Sequence, residues 1–416
     1  TIRTDVLKRL LERNVLGIDK DPRAVRVACF SLYLAMCDEV EPRHYWTHIV
    51  FPSMRGRRLI ASDFFSEESA AIATDAAAYD LIVGNAPWGD RVITSLATEW
   101  ADSNGWPVGN HDIGALFLAK SGRMLAPDGR IAMIQSANGL LLNVSGPTRR
   151  FREKLLSTYA VEEIYNLAAI RFRLFKGKGR TRHKSVAPTC VIIMRAAAPQ
   201  PHARIAYITP KYLKPLLDEF TVVVEPADRK FVSQFDACND PTVWTSLMWG
   251  APRDRQLLRR LMRGSSLARL EREHVIETRE GMIWGNQQKA IPALSDRRVL
   301  MEPDFPEGHS LYLRAEDLPI CRSISVDAKA STDFSAFRLP QLLIKQTWRQ
   351  SAGRLQARLI DSSDSRGVLC TQSYMTVTGP EDVLRAATVV FSSSLAVYTM
   401  MLVSARLTAY RPEMKK

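Results

Sequence analysis

Apolar residues in the first half of the chain fall into short runs, and each run closes on a polar residue. Residues 15–19 form one such run, ending in Asp19. Residues 58–61 predict a second short strand, closed by Asp63 and Phe64, and residues 79–84 a third, entering Asn85-Ala86-Pro87-Trp88. Between the first two runs, apolar positions over 23–37 recur at the spacing of one buried helix face, and Asp21-Pro22 supplies a helix start. Residues 114–125 predict another helix, Pro127-Asp128-Gly129 a turn and 130–135 a fourth strand. Residues 161–166 and 189–194 predict two more strands with no helical pattern between them. Alternation of this kind implies an α/β fold with a mainly parallel sheet covered on both faces. Ligands of such sheets sit beyond the carboxyl ends of the strands, where Asp19, Asp63 and Asn85 all fall.

The texture changes after Ala196-Ala197-Ala198-Pro199. Residues 201–226 predict a connecting strand and helix, and 253–262 an arginine-rich helix. Short strands and loops follow, and a single long helix is expected over 382–407. The expected boundaries are therefore 1–198 for the first domain, 199–250 for a connecting segment and 251–416 for a second domain. Residues 386–405 carry no charge, but Thr388, Ser392, Ser393, Ser394, Thr399 and Ser404 dilute their hydrophobicity. They read as a buried helix rather than a membrane span, and no membrane partner is expected.

Composition narrows the picture. With 416 residues, 46% hydrophobic and 24% charged, the chain has material for two or three globular domains, which excludes a disordered tail, a collagen-like fibre and a disulfide mini-protein. A net charge of +13 favours a polyanionic partner. None of the six cysteines forms a C-x-x-C pair, so they read as thiols in a reducing cytoplasm rather than a zinc ribbon or redox motif. His44 and His48 have helical spacing without an acid to complete a metal site, and no metal is expected.

Asn85-Ala86-Pro87-Trp88 is the most informative tetrapeptide. An asparagine at a strand end, followed by proline and an aromatic, can present a side-chain oxygen and a backbone carbonyl to an amino group lying against the ring. Exocyclic amines of nucleobases are poor nucleophiles because the nitrogen lone pair is delocalised. Two acceptors holding both amino hydrogens favour a tetrahedral nitrogen and aim its lone pair at an electrophile.

These residues resemble the Asn-Pro-Pro-aromatic signature of the amino-methyltransferases of bacterial restriction–modification and related phage-defence systems, which make N6-methyladenine in DNA. The likeness extends to the stretch from Gly17 to Pro22, to Asp63-Phe64, and to the helix and strand over 112–135. It covers about the first half of the chain, with alanine at position 86 where the family has proline. It implies a Rossmann-like class I methyltransferase sheet followed by an α+β target-recognition domain. By the resemblance, Asp19 holds the ribose hydroxyls of S-adenosylmethionine, and Asp63 accepts from the cofactor's adenine amine with Phe64 beside the ring. Asn85 and the carbonyl of Ala86 hold the target amine, Pro87 completes the catalytic motif, and Trp88 stacks on a flipped adenine, with Phe175 on its other face.

The run containing Lys176, Lys178, Arg180 and Arg182 is read either as a solvated loop or as an arm gripping phosphates, extended by Arg149, Arg150 and Arg152. Arg279-Glu280-Gly281-Met282 and Trp284-Gly285-Asn286 resemble the start of target-recognition domains, more weakly. The expected partners are double-stranded DNA and restriction or defence subunits, in the cytoplasm with the nucleoid. The family's glycine-rich cofactor loop belongs upstream of Gly17, yet the sixteen residues before it contain no glycine. The sheet is thus expected to lack its first strand and that loop. Three readings follow: the sequence is a piece of a longer one, another chain supplies the missing parts, or the copy binds no cofactor. The rival functions are a non-catalytic DNA-binding subunit or methyltransferase remnant, and an RNA base amino-methyltransferase.

Overall fold

The computed structural model describes residues 4–67, 79–88, 93–109, 112–143, 146–171, 188–200, 202–211 and 222–283. It also describes 288–404 apart from 291–293, 302–304, 306–307, 309, 322–324, 328–333, 336, 347–353 and 364–365. The chain divides into two compact units, Thr1–Pro241 and Thr242–Lys416.

The first unit opens with helix α1 (Thr4–Asn14), strand β1 (Gly17–Asp19), helix α2 (Pro22–Asp38) and strand β2 (Leu59–Ala61). The Asp21 carboxylate accepts from the Arg23 amide at 2.8 Å with Pro22 in the first turn, so α2 starts where the sequence signals it. β1 and β2 pair in parallel, Gly17 opposite Leu59 and Asp19 opposite Ala61. Val25 and Cys29 of α2 pack with Met54 and Leu59 in a small core beneath this pair.

Six further strands form one sheet: β3 (Tyr79–Asn85), β4 (Leu125–Ser136), β5 (Ala160–Asn166), β6 (Thr189–Arg195), β7 (Arg204–Ile208) and β8 (Arg229–Ser233), in the order β3-β4-β6-β5-β7-β8. The expectation of a mainly parallel sheet is corrected here. β3 with β4 and β5 with β7 are parallel, but β6 lies antiparallel between β4 and β5, and β8 is antiparallel to β7. Parallel neighbours need a long crossover, usually helical, whereas antiparallel ones do not. The helix Gly146–Thr158 carries the chain from β4 to β5, which run the same way, whereas the sequence between β5 and β6 has no helical pattern. The result is a mixed α/β fold. β3 is an edge strand and exposes Leu81 and Val83, while β1 and β2 form a separate two-stranded sheet among the described residues.

Two local expectations shift. The helix predicted over 114–125 runs from Ile113 to Gly122, and β4 already begins at Leu125. The predicted turn at Pro127-Asp128-Gly129 is an irregularity within β4: the register steps from Tyr79 opposite Leu125 to Leu81 opposite Arg130.

In the second unit, a five-stranded sheet is ordered Tyr312–Arg314, Ala357–Asp361, Gln341–Lys345, Tyr374–Thr378 and Glu277–Glu280. Every residue of Gln341–Lys345 is buried, because the sheet separates two apolar clusters. Leu343 packs with Ile360 and Tyr374 on one side, and Leu342 and Ile344 with Leu359 and Met375 on the other, as period-two alternation requires. The closing helix is two helices, Glu381–Phe391 and Ser394–Val403, bent by 73°. The Ser393 hydroxyl accepts from the Ala396 amide and starts the second helix, which is why one long helix does not form. Among the described residues no single helix is long and apolar enough to cross a membrane.

Phe151 is 2% exposed, with its ring centroid 5.3 Å from that of Trp106. Phe151→Ala is expected to destabilise the first unit by about 3–5 kcal/mol, read as a lower urea-unfolding midpoint.

Candidate active site

The parallel ladder places the Asn85 turn. Leu81 to Asn85 pair in step with Arg130 to Ile134, so β3 ends on Asn85 beside the end of β4. Asn85 and Pro87 are exposed, Ala86 is buried and Trp88 is half-buried. The turn passes over the start of helix Ile113–Gly122, where a side chain at Gly114 would bring its Cβ within 3.0 Å of the Pro87 carbonyl oxygen. A Cβ there would crowd the carbonyl, and glycine relieves that close approach.

Two further polar side chains converge on the same spot. The Asp112 carboxylate caps the helix by accepting from the Gly114 amide at 3.1 Å, and burial pushes its carboxyl above the usual carboxylate range. Gln135, 2% exposed near the end of β4, brings its Oε1 to 3.3 Å from the same Gly114 Cβ position. Gly139 is constrained too, since a Cβ there would overlap the Asp112 carboxylate. The sequence reading did not single out Asp112 or Gln135. An acid directly before an apolar helix is an N-cap signal that could have found Asp112, but nothing in the sequence points to Gln135.

The other two strand ends also carry acids. Asp19 closes β1, and its Oδ1 accepts from the Asp21 amide at 2.7 Å. Asp63, two residues beyond β2, accepts from the Phe65 amide at 2.9 Å and lies 3.6 Å from Lys20 Nζ. Because β1 and β2 are paired in parallel, both carboxylates stand at one end of that pair. Phe64 stacks on Phe117 with centroids 4.7 Å apart and planes 14° from parallel. Lys120 lies beneath this cluster. Its ammonium donates to the Phe64 carbonyl and sits 4.8 Å from the Phe64 ring and 5.0 Å from that of Phe65. Burial lowers Lys120 to about 8, against the pull of Asp63. Lys120 had no signature in the sequence, where it reads as one cation on an apolar helix.

The basic residues sort differently from expectation. Arg152 is 3% exposed and donates to the carbonyls of Leu140, Leu141 and Asn143 at 3.3, 2.9 and 3.2 Å. It ties the chain after β4 to helix Gly146–Thr158 and does not extend a phosphate-gripping surface, because those carbonyls would otherwise be buried without donors. Arg149 pairs with Glu153 at 2.7 Å. Phe175, Lys176, Lys178, Arg180 and Arg182 lie outside the described residues, as do Trp284, Gly285 and Asn286. No group of three or more His, Cys, Asp or Glu that could hold a metal ion occurs among the described residues.

The fold and site define an α/β protein with polar groups at the carboxyl ends of its strands and an asparagine–aromatic turn at one of them. Residues 13–172 match the family model of the Eco57I restriction-modification methylases. The first part of the chain is thus similar to restriction–modification methyltransferases. The match spans less than half of the chain and includes Asp19, Asp63, Asn85, Asp112, Lys120 and Gln135. No curated protein matches the chain. Among solved structures, it is similar to the type IIG restriction endonuclease BpuSI at 13% identity, over 96% of this chain and 55% of that one, with a TM-score of 0.41. It is also similar to the type IIL restriction-modification enzyme MmeI in complex with DNA, at 12% identity over 91% and 51% of the two chains, TM-score 0.47. A third likeness is to the M protein of the type I restriction enzyme EcoKI, at 14% identity over 51% and 40%, TM-score 0.33. The chain spans about half the length of the first two of these structures.

A lysine lowered by burial binds its proton less firmly in the folded chain than in the unfolded one. The Lys120 penalty is therefore fully present below about pH 8 and fades as pH rises into the ordinary lysine range. The melting temperature of the wild type is expected to gain on that of Lys120→Met between pH 8 and pH 10, measured by thermal unfolding across that range.

Proposed function

We propose that this chain is the methyltransferase part of a site-specific DNA methyltransferase, moving a methyl group from S-adenosylmethionine to N6 of a flipped adenine. The observation that carries the reading is the Asn85–Trp88 turn at the end of β3. It presents an exposed asparagine, a backbone carbonyl at Ala86 and a half-buried indole beside a buried polar cluster. The family match over 13–172 supports it.

The residues present fit the cofactor. Ionised Asp19 and Asp63 are acceptor-only groups, which suits ribose hydroxyls and an adenine amine respectively. The cation and the rings around Phe64 hold the backbone next to Asp63 in place. S-adenosylmethionine, when bound, supplies the methyl group. Asn85 Oδ1 and the Ala86 carbonyl accept the two amino hydrogens of the target, drawing the nitrogen toward a tetrahedral shape. Trp88 stacks on the base, and Gly114 lets the helix support the Pro87 carbonyl from behind. An adenine inside the duplex cannot reach this turn, so the base must leave the stack. Phe175 is proposed for the other face of the base, and Lys176, Lys178, Arg180 and Arg182 for the flanking phosphates. Residues 251–416 are proposed to read the target sequence, with duplex DNA and restriction or defence subunits as partners in the cytoplasm.

One observation favours a second reading, a DNA-binding chain that does not itself transfer methyl groups. β3 ends the six-stranded sheet with Leu81 and Val83 exposed, and β1 and β2 stand apart from it among the described residues. A cofactor site that needs another strand at that edge would be completed from elsewhere.

Methyl transfer from labelled S-adenosylmethionine to unmethylated duplex DNA tests the proposal. Label is expected as N6-methyladenine, with Asn85→Ala lowering the rate at least about 10²-fold, as for loss of one positioned polar group at a reacting centre. Transfer that survives the substitution, or that RNA outcompetes, overturns it. Absence of transfer by this chain, alone and within a longer product of the same reading frame, favours the DNA-binding reading.

A further inference from the structure

Behind the Asn85 turn lies a buried donor that the methyl-transfer reading does not use. Gln135 stands on β4 in the same buried row as Ile131 and Met133. Its side-chain Nε2 is buried and has no hydrogen-bond partner among the described residues. Across the ladder it faces Cys190, which is fully buried. Burial, and then the charge of Asp112, push that thiol up, so Cys190 is a neutral neighbour. A buried N–H without an acceptor is among the rarest features of a folded chain, because it has given up water for nothing.

The other end of the same carboxamide faces oxygens. The place that a Gly114 Cβ would take lies 3.0 Å from the Pro87 carbonyl oxygen, 3.2 Å from Asp112 Oδ1 and 3.3 Å from Gln135 Oε1. Three acceptors therefore surround one point. The donor that reaches Asp112 Oδ1 is the Gly114 amide, at 3.1 Å. Asp112 cannot swing away, since its other oxygen already fills the place of a Gly139 Cβ. Burial holds its carboxyl above the ordinary range, and the Gly114 amide is what opposes that rise.

One rotation answers both problems. A carboxamide has nearly the same shape either way round, so half a turn about its last bond exchanges Oε1 and Nε2 and moves nothing else. Nε2 then stands among the Pro87 carbonyl, the Asp112 carboxylate and Gly114, where its two N–H groups meet two acceptors. Oε1 moves to the apolar side, where an unpaired oxygen is better tolerated than an unpaired N–H. Glutamate at this position would add a fourth acceptor, and methionine would leave the cluster without the donor.

We propose that Gln135 is a positioning residue for the Asn85 turn, its Nε2 donating to the Pro87 carbonyl and to Asp112 Oδ1. The bond fixes the peptide plane between Pro87 and Trp88. Ala86 and Trp88 flank that plane, so Gln135 sets the direction of the Ala86 carbonyl and the tilt of the indole. The consequence for methyl transfer rests on the proposed function, whereas the hydrogen bond does not. A clamp of this kind binds neither substrate nor cofactor and acts by holding the acceptors where the target amine needs them.

The first test uses the whole wild-type chain, labelled with ¹⁵N and ¹³C, and needs no variant to fold. In the clamp the Gln135 side-chain N–H protons lie against the α-hydrogens of Gly114, and a nuclear Overhauser effect between them is expected. Its absence overturns the clamp. Acid titration of the Asp112 carboxyl should move the Gln135 ¹⁵N side-chain resonance with the same midpoint, and a resonance that ignores Asp112 overturns the shared bond. The second test compares Gln135→Met and Gln135→Glu with wild type in methyl transfer. Both are expected to lower kcat about tenfold, with KM for duplex DNA and for S-adenosylmethionine within about twofold of wild type. In Gln135→Met the backbone amides of Ala86 and Trp88 should exchange with solvent faster. A raised KM at unchanged kcat, or exchange as slow as in wild type, overturns the positioning role. If the wild-type chain transfers no methyl group, the enzymatic reading fails on that result alone, and the Overhauser effect and the exchange rates still decide the clamp.

Discussion

The parallel ladder between β3 and β4 holds the candidate site together. Its register, Leu81 with Arg130 through Asn85 with Ile134, decides that the Asn85 turn starts beside the end of β4 and above the helix that precedes that strand. From that placement follow the close approach of Gly114 to the Pro87 carbonyl and the convergence of Asp112 and Gln135. A slip of one residue would turn Asn85 to the opposite face and dissolve the cluster.

Two buried cations do comparable structural work in different ways. Lys120 sits under aromatic rings and donates to the carbonyl next to Asp63, so its charge is satisfied by a backbone oxygen and ring faces. Arg152 gives its N–H groups to three carbonyls after β4. Each holds a segment on which the strand-end site depends, and neither can be replaced by an apolar residue without leaving buried carbonyls short of donors. Lys211 and Lys230 both donate to the Thr209 hydroxyl, and Lys211 also to the Thr209 carbonyl.

The strand-end positions of the candidate residues were legible in the sequence because they are set locally. Asp19, Asp63 and Asn85 each close a short apolar run, and Asp21-Pro22 starts a helix by capping geometry that a few neighbouring residues define. The antiparallel insertion of β6 was not legible, since strand order depends on pairing between segments far apart in the chain. The same holds for the break at Ser392–Ser393, where an uncharged stretch reads as one helix until the Ser393 cap divides it.

The sequence by itself determined where along the chain the strands that carry Asp19, Asp63 and Asn85 end. Those features depend on backbone preferences and hydrophobic period, both fixed over a few residues. Tertiary structure alone decided that Asp112, Gln135 and Lys120 support the strand-end residues, that Arg152 is internal, and that Lys211 and Lys230 meet at Thr209. Each of these depends on strand order and on which face of a helix is buried, and so on contacts between residues that no local pattern brings together.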